Sequence, residues 1–502
     1  MAKLFLCLVS LLMSFNSFGN TLPFDGYIIK YKEIPIPKNI NNSNYIKDLN
    51  LEIVKELPDS YNKDTNIEYV EPNYIYSIKT VPTDPRYKDQ YAHDKIESER
   101  AWDVTLGSRD VVVAIIDTGV DYNHSDLKNN MWTNKAELNG EEGVDDDNNG
   151  FIDDVYGYDF VNNDGDPVDD HNHGTHCAGI IGAEHNDIGI AGVTSKVKIM
   201  SLKFLSARGS GSTEGAIKSI KYAVDNGANI LSNSWGGGGF SQALYDVIEY
   251  AKERDVLFVA ASGNSNTDRM HYPSSYENDN IISVASSDAQ DNKSSFSNYG
   301  LPHVDIAAPG SSILSTIKGG GYAFMSGTSM ATPYISGAAA LMLAHENMSY
   351  SDLRKRIFRT SDYLPQKWEN YVETAGRLNV GNLLLDEEPQ RPSEPNDNSW
   401  LKSDLVLESA HPYEANKIYE YEIEVPEGAS HLRLHFEKLE TEDKYDSITI
   451  KGTGRALTLS GSFSDHYSKH VSVEGLSKIK IIFKTDRSVN KWGFKVDFFE
   501  YQ

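Results

Sequence analysis

The stretch "DVVVAIIDTGVD" (residues 110–121) decides the fold of this 502-residue chain. Its continuous β-branched run ends in an acid and a glycine turn, which is typical of a strand buried on both faces of a parallel sheet. Similar apolar runs recur further along the chain, at 197–205, 229–235, 256–262 and 281–286. Helix-like stretches at 212–227 and 240–255 separate several of them. This alternation predicts an α/β domain with a doubly wound, mostly parallel sheet.

Changes of pattern divide the rest of the chain into segments. Lys3, the apolar run 4–15 and the small residues up to Gly19 predict a signal peptide over residues 1–19. Residues 20–82 carry strand-like runs around a polar, helix-compatible middle, which predicts a small α+β segment. The α/β pattern spans 83–385, and the acid- and proline-rich stretch 386–399 is typical of a linker. Short alternating runs without a long helix over 400–502 predict an all-β sandwich.

Composition and charge narrow the function. The net charge of −26, from 73 acidic and 47 basic residues, argues against a nucleic-acid partner, for which a basic surface is expected. Beyond the signal peptide no segment approaches the length of a transmembrane helix, so we expect a soluble, secreted protein without a membrane partner. Cys7 lies in the signal peptide, so Cys177 is left alone and no intrachain disulfide can form. A large core and bound metal ions remain as sources of stability.

Three residues at the ends of predicted elements supply the parts of an activated serine nucleophile. Asp117 ends the strand in the opening stretch, His173 begins "HGTHCAGIIGA", and Ser329 lies in "GTSMATP". A serine hydroxyl becomes a good nucleophile when a neighbouring base takes its proton and a third group orients that base. Asn264, at the end of another buried strand, can donate its amide to the oxyanion, and losing such a donor costs about 10²–10³ in turnover. The chain order Asp, His, Ser occurs in known catalytic triads.

Two other functions stay open at this point. His171, His173, His176 and Cys177 lie close together in sequence and could form the zinc site of a metallohydrolase. A zinc-bound His173 could not accept the serine proton, so this hypothesis conflicts with the triad. A catalytically inactive binding protein that uses the acidic surface is the other alternative. Loss of activity with a zinc-selective chelator would identify the zinc hydrolase. Absence of any turnover would identify the binding protein.

Residues 84 to about 385 resemble the subtilisin-like serine proteases, or subtilases, and among them the thermitase branch. The resemblance rests on "AIIDTGVDYNHSDL", "HGTHCAGI", "SNSWGGG", "VAASGN", "NKSSFSNYG", "DIAAPG" and "GTSMATP". It implies a serine endopeptidase that forms an acyl-enzyme intermediate. In that reaction Asp117, His173 and Ser329 would be the triad, and Asn264 would be the oxyanion donor.

The resemblance also implies how polypeptides bind to the enzyme. Two backbone segments would pair with an extended polypeptide substrate, and their residues are Gly209, Ser210 and Gly211, and Ser234, Trp235 and Gly236. The family usually has histidine at the position of Tyr334 and leucine at the position of Trp235. Because of Trp235, the resemblance does not define the shape of the substrate pocket. Residues 20–82, with "IEYVEPNYIYS", resemble the family propeptide, which implies a zymogen that removes its own inhibitor between Ser77 and Thr83. We expect the mature enzyme to be a monomer.

The acidic stretch "GVDDDNNGFIDDVYGYDF" (143–160) has the spacing of a calcium-binding loop. Oxygen-bearing side chains recur at alternate positions, and a glycine permits a sharp turn. The candidate ligands are Asp145, Asp147, Asn149 and Asp153. Tyr156 stands where an EF-hand would carry its bidentate acid, so we expect a shorter loop that Asp153 or Asp154 completes. The alternative is a solvated acidic loop, in which adjacent carboxylates would repel one another.

The resemblance implies two further structural Ca²⁺ sites. One lies before the catalytic histidine and would use Asp159, Asp164 and Asp166. The other would clip the N-terminus of the domain in place of a disulfide. Its ligands would be the side chains of Asp84, Asp126 and Asn186 and the backbone carbonyls of Glu184, Ile188 and Ile190.

The C-terminal segment resembles the CUB domains, a β-sandwich family. "FEKLETEDKYDSITIKG" and "FKTDRSVNKWGFKVDF" carry this resemblance, which implies Glu440, Asp446 and Asp486 as calcium ligands. The cysteines usual in that family are missing. A generic sandwich that stabilises or targets the protease is the alternative.

Overall fold

The computed structural model describes residues 24–33, 45–57, 64–74, 81–301, 303–390, 400–442, 445–453, 456–468 and 470–502. The predicted signal peptide (1–19) and the prolines Pro392 and Pro395 of the predicted linker lie outside the described residues. The chain divides into two compact units, Met1–Lys79 and Thr80–Gln502.

The first unit contains a four-stranded antiparallel sheet. Its strands are β1 (Phe24–Tyr31), β2 (Tyr45–Ile46), β3 (Leu51–Val54) and β4 (Ile67–Tyr74). They pair in the spatial order β2-β3-β1-β4. Alternation in β1 places Ile29 and Tyr31 on the buried face, where they pack with Ile67. A single 3₁₀ turn covers Lys47–Leu49.

A nine-stranded sheet forms the centre of the second unit. Its strands are β5 (Gly107–Asp117), β6 (Gly157–Asp159), β7 (Lys196–Lys203), β8 (Ile230–Asn233), β9 (Leu257–Ala261), β10 (Ile281–Ser287), β11 (Ile306–Pro309), β14 (Asp362–Tyr363) and β15 (Gly376–Arg377). A separate hairpin consists of β12 (Ile313–Ile317) and β13 (Gly321–Met325). The spatial order is β14-β15-β11-β10-β9-β8-β5-β7-β6, in which only the β14–β15 pair is antiparallel. The predicted mostly parallel sheet is therefore confirmed.

Helices cover both faces of this sheet. They are α1 (Tyr91–Lys95), α2 (Ser98–Trp102), α3 (Lys135–Asn139), α4 (His173–Gly182), α5 (Thr213–Asp225), α6 (Gln242–Lys252), α7 (Thr328–His345), α8 (Tyr350–Thr360), α9 (Pro365–Trp368) and α10 (Val380–Leu385). Val113 and Ile115 of β5 pack on the side of α4 and α7, whereas Ala114 and Ile116 pack on the side of α5 and α6. Burial on both faces explains why β5 reads as a continuous apolar run rather than an alternating one.

The C-terminal residues form two antiparallel sheets that enclose a separate core. Their strands are β16 (Leu401–Glu408), β17 (Ile418–Glu424), β18 (His431–Glu440), β19 (Ser447–Lys451), β20 (Leu457–Leu459), β21 (Ser462–Tyr467), β22 (Val471–Ser472), β23 (Lys478–Lys484) and β24 (Gly493–Tyr501). One sheet has the order β16-β24-β18-β21, with β22 also paired to β18, and the other has the order β17-β23-β19-β20. Phe436, Ile481 and Phe494 are among the buried residues between them. The predicted all-β sandwich is confirmed.

A search of the described residues finds no helix with the length and apolar character needed to cross a membrane.

Candidate active site

Asp117 and His173 form an ion pair at the carboxyl end of the sheet. Asp117 is the last residue of β5 and is buried, whereas His173 is the first residue of α4 and its side chain is 23 % exposed. Nδ1 of His173 lies 2.7 Å from Oδ1 of Asp117, and this oxygen also accepts the N–H of Thr118 at 2.7 Å. The contact orients the ring so that Nε2 is left as the basic nitrogen.

Asp169 and Thr118 hold the start of α4 against the end of β5. Asp169 accepts both the N–H and the hydroxyl of Thr175, at 2.9 and 2.6 Å. Thr118 Oγ1 donates to Asp169 at 2.9 Å and accepts the N–H of Gly174 at 2.9 Å. Position 174 must be glycine, because a β-carbon there would fall 2.1 Å from the carbonyl oxygen of Gly119. These contacts fix the separation of the aspartate and the imidazole.

The electrostatic surroundings of His173 stabilise its protonated form more than water stabilises that of a free histidine. Burial acts to lower its pKa, but the charge and hydrogen bond of Asp117 and the charge of Asp169 act in the other direction. The net effect raises the pKa of His173 above its usual value. A base of this kind is suited to holding a proton between two steps of a reaction near neutral pH.

Ser329 is the second residue of α7 and lies beside this ion pair. Its Oγ donates to the carbonyl oxygen of Ser234 at 3.0 Å, and Oγ of Ser234 donates to the carbonyl of Ser329 at 2.9 Å. Sγ of Cys177 lies 3.4 Å from that same carbonyl and within 4.8 Å of ligand atoms of Asp117 and His173. The serine hydroxyl is thus bonded to Ser234 and not to the imidazole. Catalytic hydrogen bonds often form only when substrate is bound.

Two hydrogen-bond donors flank the backbone of Gly327, which lies two residues before Ser329. Asn264 Oδ1 accepts the N–H and the hydroxyl of Thr328 at 2.8 and 3.0 Å, which turns Nδ2 away from α7. A β-carbon on Gly327 would fall 3.5 Å from Nδ2 of Asn264 and 3.6 Å from the N–H nitrogen of Ser329. That N–H belongs to the first turn of α7, where backbone donors lack an intrahelical partner. The two nitrogens therefore lie near one point beside Gly327, where donors of this kind could serve an oxyanion.

The two predicted substrate segments leave the sheet near this site. Within the described part of the chain, the main chains of Gly211, Trp235 and Gly236 make no hydrogen bonds, so they are available to an extended peptide. Ser206 and Ser210 close a turn before Gly211, through a 3.0 Å bond from the N–H of Ser206 to the carbonyl of Ser210. The glycine at position 209 has a φ of +69° in this turn.

The two residues that depart from the subtilase pattern are accommodated by aromatic contacts. Trp235 packs edge-on against Phe204, which directly follows β7, with ring centroids 4.8 Å apart. Tyr334 is buried and meets His93 edge-on at 6.1 Å. Neither substitution contacts the Asp117–His173 pair.

His171 and His176, the other two histidines of the zinc hypothesis, do not converge with His173 on one metal. Nε2 of His176 lies 3.1 Å from the carbonyl oxygens of both Ile313 and Ala323, and burial lowers the pKa of His176 to about 4. The ring of His171 is 6.3 Å from that of His173 and meets it edge-on. The histidine that contacts an acidic partner at the sheet edge is His173.

A pair of buried carboxylates, Asp84 and Asp126, lies near the N-terminus of the second unit. Oδ1 of Asp84 accepts the N–H of Asn186 at 3.1 Å, and Oδ2 of Asp126 accepts from Ile190 N–H and Tyr322 Oη at 3.2 and 3.0 Å. The other oxygens, Asp84 Oδ2 and Asp126 Oδ1, are buried without a partner among the described residues. Burial raises the pKa of Asp126, and the charge of Asp84 adds to this. Two buried, unpaired carboxylate oxygens on acids that interact electrostatically fit a hard cation such as Ca²⁺.

The loop 184–190 surrounds this pair. Oδ1 of Asn186 accepts the N–H of Ile188 at 3.0 Å, and the carbonyl of Gly189 accepts the N–H of Arg86 at 2.8 Å. The carboxylate of Glu184 is bonded to Arg109 and Asn129 at 2.8 and 2.7 Å, so the side chain of this residue is engaged outside the pair. Sequence reasoning assigned only its backbone carbonyl to the metal.

The acidic loop contributes to a cluster of three carboxylate side chains that differs from the predicted set of ligands. Carboxylate oxygens of Glu137, Asp147 and Asp154 lie within 4.8 Å of one another. Glu137 and Asp154 are buried, and burial together with the charge of Asp147 raises the pKa of Asp154. Asp147 was predicted and Asp154 was the alternative to Asp153, but Glu137 of α3 was missed.

The other predicted ligands of this loop hold its backbone. Asp145 accepts the N–H groups of Asn149 and Gly150 at 3.1 and 2.9 Å, and Asp153 accepts that of Gly143 at 3.0 Å. Asn149 donates its side-chain amide to Asp147 and Asp154 at 3.2 and 2.9 Å. Positive φ angles at 148, 150 and 153, of 57°, 93° and 54°, turn the loop so that alternate residues do not face one centre.

Asp159, Asp164 and Asp166 are not among the carboxylate groups that the described residues bring together. Oδ1 of Asp159 accepts the N–H groups of Val161 and Asn162 at 2.6 and 2.9 Å. Asp164 accepts the N–H of Asp166 at 3.1 Å, and Asp166 accepts the hydroxyl of Tyr122 at 2.8 Å. In the structure these acids therefore close their own loop.

A further cluster of three carboxylate side chains lies in the C-terminal sandwich and consists of Glu442, Asp446 and Asp486. The resemblance to CUB domains implied Glu440 and not Glu442, and Glu440 pairs with Lys438 at 3.0 Å. Glu440 is the last residue of β18, and Glu442 lies in the loop that follows, where its N–H donates to Tyr413 Oη at 3.2 Å.

Comparison with known proteins agrees with this geometry. The sequence model of the subtilase family matches residues 108–383, and that of the CUB domain matches residues 402–498. The thermophilic serine proteinase of Bacillus sp. (strain AK1) is 38% identical over 351 residues, which cover 70% of this chain and 80% of that protein. Thermitase of Thermoactinomyces vulgaris is 41% identical over 301 residues, covering 60% and 97%. A halolysin-like extracellular serine protease of Natrialba magadii is 39% identical over 304 residues, covering 60% and 52%.

Proposed function

The chain belongs to the subtilase family and is a serine endopeptidase, and we propose that it cleaves polypeptides with Asp117, His173 and Ser329 as its catalytic triad. The observation that carries this assignment is the 2.7 Å contact between His173 Nδ1 and Asp117 Oδ1. It directs the basic nitrogen away from the aspartate. The start of α7 supplies Ser329 with its backbone N–H, and Asn264, after β9, supplies a second donor. Among the described groups of three His, Cys, Asp or Glu side chains whose ligand atoms all lie within 4.8 Å of one another, the one that contains a histidine is that of Asp117, His173 and Cys177.

The reaction follows from this geometry. Nε2 of His173 takes the proton of Ser329 Oγ once that hydroxyl has left the carbonyl of Ser234, and Oγ attacks the substrate carbonyl. The oxyanion receives hydrogen bonds from Asn264 Nδ2 and the N–H of Ser329. His173 then gives its proton to the departing amine, which leaves an acyl-enzyme, and a water molecule activated by the same nitrogen releases the acid. Asp117 stays ionised and stabilises the imidazolium.

Synthesis as a secreted zymogen accounts for the outer segments. Residues 1–19 would direct export, and residues 20–82 would fold with the protease, occupy its cleft as an inhibitor and be removed by self-cleavage. The word extracellular in the name of the Natrialba magadii relative supports secretion. The catalytic domain would then span 83–385, the linker 386–399 and the CUB domain 400–502. Such an enzyme would act as a monomer on polypeptides, with no nucleic-acid or membrane partner.

Calcium is the structural cofactor that the clusters of buried carboxylates support. Asp84 and Asp126, with Asn186 and the loop that carries Ile188 and Ile190, would hold one ion. Glu137, Asp147 and Asp154 would hold another in the acidic loop. A bound Ca²⁺ neutralises these buried acids and supplies no step of the reaction. Asp159, Asp164 and Asp166 are the implied ligands of a further ion, for which the structure offers less support because Asp159 and Asp164 already bond to their own loop.

A serine-directed fluorophosphonate tests the assignment of the nucleophile. The mature enzyme should lose its casein-hydrolysing activity with the reagent, and peptide mass mapping should place one adduct on Ser329. Zinc-selective chelation should leave activity intact. Activity that survives complete labelling, or an adduct on another serine, contradicts the proposal.

The dependence of kcat/KM on pH should report the proton affinity of His173. Activity requires a neutral imidazole, so kcat/KM rises with pH through the pKa of His173, and the raised pKa puts the midpoint above that of an ordinary histidine. Asp117→Asn removes the charge that raises this pKa, so the midpoint should move to lower pH while kcat falls by about 10⁴. Asp246→Asn, which removes an exposed acid from α6, should leave the midpoint and kcat unchanged. An Asp117→Asn midpoint equal to that of wild type contradicts the assignment.

A further inference from the structure

The side chain of the substrate residue before the scissile bond (P1) has a defined place in the cleft. This inference rests on the proposed function, in which the scissile carbonyl lies between Ser329 Oγ and Asn264 Nδ2. The strands β8 and β9 are parallel neighbours, with Asn233 beside Ala260, so the segments that follow them leave the sheet side by side. One carries the substrate-pairing main chain of 234–236, and the other carries 262–264. The P1 side chain must therefore enter between these two segments.

An imidazole already lies at the bottom of that gap. A β-carbon on Gly236 would fall 2.1 Å from Cε1 and 2.7 Å from Nδ1 of His271. A β-carbon on Gly263 would fall 2.9 Å from Cδ2 and 3.1 Å from Cγ of the same ring. His271 thus contacts one glycine with each side of its ring and spans the space between the two segments. Both positions are glycine where the ring needs that space.

The half-buried ring is held in place by the hydrogen bonds of its own backbone and by the two glycine segments. The N–H of His271 donates to Ser275 Oγ at 2.9 Å, and its carbonyl accepts from Ser275 N–H and Ser274 Oγ at 2.9 and 2.6 Å. The side chain makes a further hydrogen bond to the backbone of Ala261, at the end of β9. Burial lowers the pKa of His271, which favours the neutral ring. Nδ1 is buried and has no partner among the described residues.

We propose that His271 forms the floor of the P1 pocket and limits cleavage to bonds that follow small residues, such as alanine, glycine and serine. A long or aromatic P1 side chain would have to displace a ring that is fixed between two glycines. Packing of this kind is close to that of a protein interior, where added atoms cause strain and cannot be absorbed. The neutral ring also offers no charge to attract an acidic or basic P1 side chain.

The test is a profile of the mature enzyme on peptide p-nitroanilides that differ only at P1, with alanine, leucine or phenylalanine. For wild type, kcat/KM for alanine should exceed that for phenylalanine by at least about 10-fold, since one misfitting methylene already costs roughly 10–200-fold. His271→Ala opens the floor, and the ratio of phenylalanine to alanine should rise by about 10- to 100-fold. His271→Asn, a smaller polar side chain that keeps more of the local packing, should give an intermediate ratio. His345→Ala at the exposed end of α7 is the control and should reproduce the wild-type profile.

Each result decides the proposal. Faster cleavage after phenylalanine than after alanine by wild type overturns it, whether or not the variants fold. An unchanged ratio in active His271→Ala or His271→Asn enzyme also overturns it. If wild type cleaves neither these peptides nor casein, the proposed function fails and the P1 assignment fails with it. Cleavage of casein with a preference for large P1 residues rejects the role of His271 and leaves the proposed function standing.

Discussion

Ser329→Ala should hydrolyse casein with a kcat about 10⁶-fold below that of wild type, the largest single effect we expect in this protein. This magnitude is the one known for loss of the nucleophile in subtilisin, a member of the same family. The physical reason is that the acyl-enzyme cannot form without Oγ. Asp117 and His173 then have no proton to move, while Asn264 and the N–H of Ser329 still stabilise an oxyanion. Some catalysis above the rate in water should therefore remain.

The measurement has to separate loss of the nucleophile from inhibition by an uncleaved propeptide. Ser329→Ala should stay at full length because it cannot remove residues 20–82 itself. A trace of wild-type enzyme, removed afterwards, should convert it to the same N-terminus as the mature form. Casein hydrolysis is then compared for the two processed proteins, with Ser326→Ala as the control, since this exposed serine accepts an N–H from Ser312 at 2.8 Å outside the site. Activity of processed Ser329→Ala above about 1% of wild type would exclude Ser329 as the nucleophile.

The sequence predicted the fold, and it placed Asp117 and His173 at neighbouring element ends, because these signals are local. A β-branched run such as 111–116 shows burial on both faces, and the residue that follows such a strand lies at the carboxyl edge by topology. The contact between Asp117 and His173 therefore follows from two strand and helix boundaries. Asn264 is similarly local, since it lies three residues after the end of β9. The hydroxyl of Ser329 was less predictable, because its rotamer depends on Ser234 across the cleft.

The acidic loop shows where local spacing fails. Alternate acids share a face only while the backbone stays regular, and the positive φ angles at 148, 150 and 153 break that regularity. Glu137 reaches the group from α3, where it accepts the N–H groups of Asp146 and Asp153 at 2.7 and 2.9 Å. A sequence offers no signal for such a contact beyond a lone acid in a short helix. The Asp84–Asp126 pair is more distant still, and family resemblance alone suggested it.

His271 was missed for a related reason. It lies seven residues after Asn264 in a stretch without periodic pattern, and its place depends on two glycines from different loops. The departure at Trp235 drew attention to the substrate pocket, but Trp235 packs on Phe204. Glycines that adjoin a catalytic segment are the signal that could have been followed, because each leaves room for another residue's side chain.

Removal of calcium should lower the melting temperature of the Ser329→Ala protein, a background that prevents self-digestion, by roughly 10 °C. Asp84 Oδ2 and Asp126 Oδ1 are buried acceptors without a partner in the described structure, and the two carboxylates repel each other. An ion that binds only the folded state adds about 2.7 kcal/mol at 100-fold excess over its Kd and about 4.1 kcal/mol at 1,000-fold excess. For a domain of this size, this range corresponds to several degrees and up to about 15 °C. Calorimetry at a fixed scan rate, in millimolar calcium or excess EGTA, measures it.

Asp126→Asn separates calcium binding from simple loss of structure because the two predict opposite signs. In calcium the variant should melt below its parent, since one ligand oxygen with its charge is gone. In EGTA it should melt at the same temperature as the parent or higher, because asparagine keeps an oxygen to accept from Ile190 and Tyr322 while the repulsion from Asp84 disappears. Asp246→Asn on α6 should respond to calcium as the parent does. Equal destabilisation of Asp126→Asn in both buffers would mean that Asp126 supports the fold through its hydrogen bonds alone. If the melting temperature of the parent protein does not change in EGTA, the case for structural calcium is removed. The clip would then have to be explained by the loop contacts of Asn186 and Gly189 without a metal.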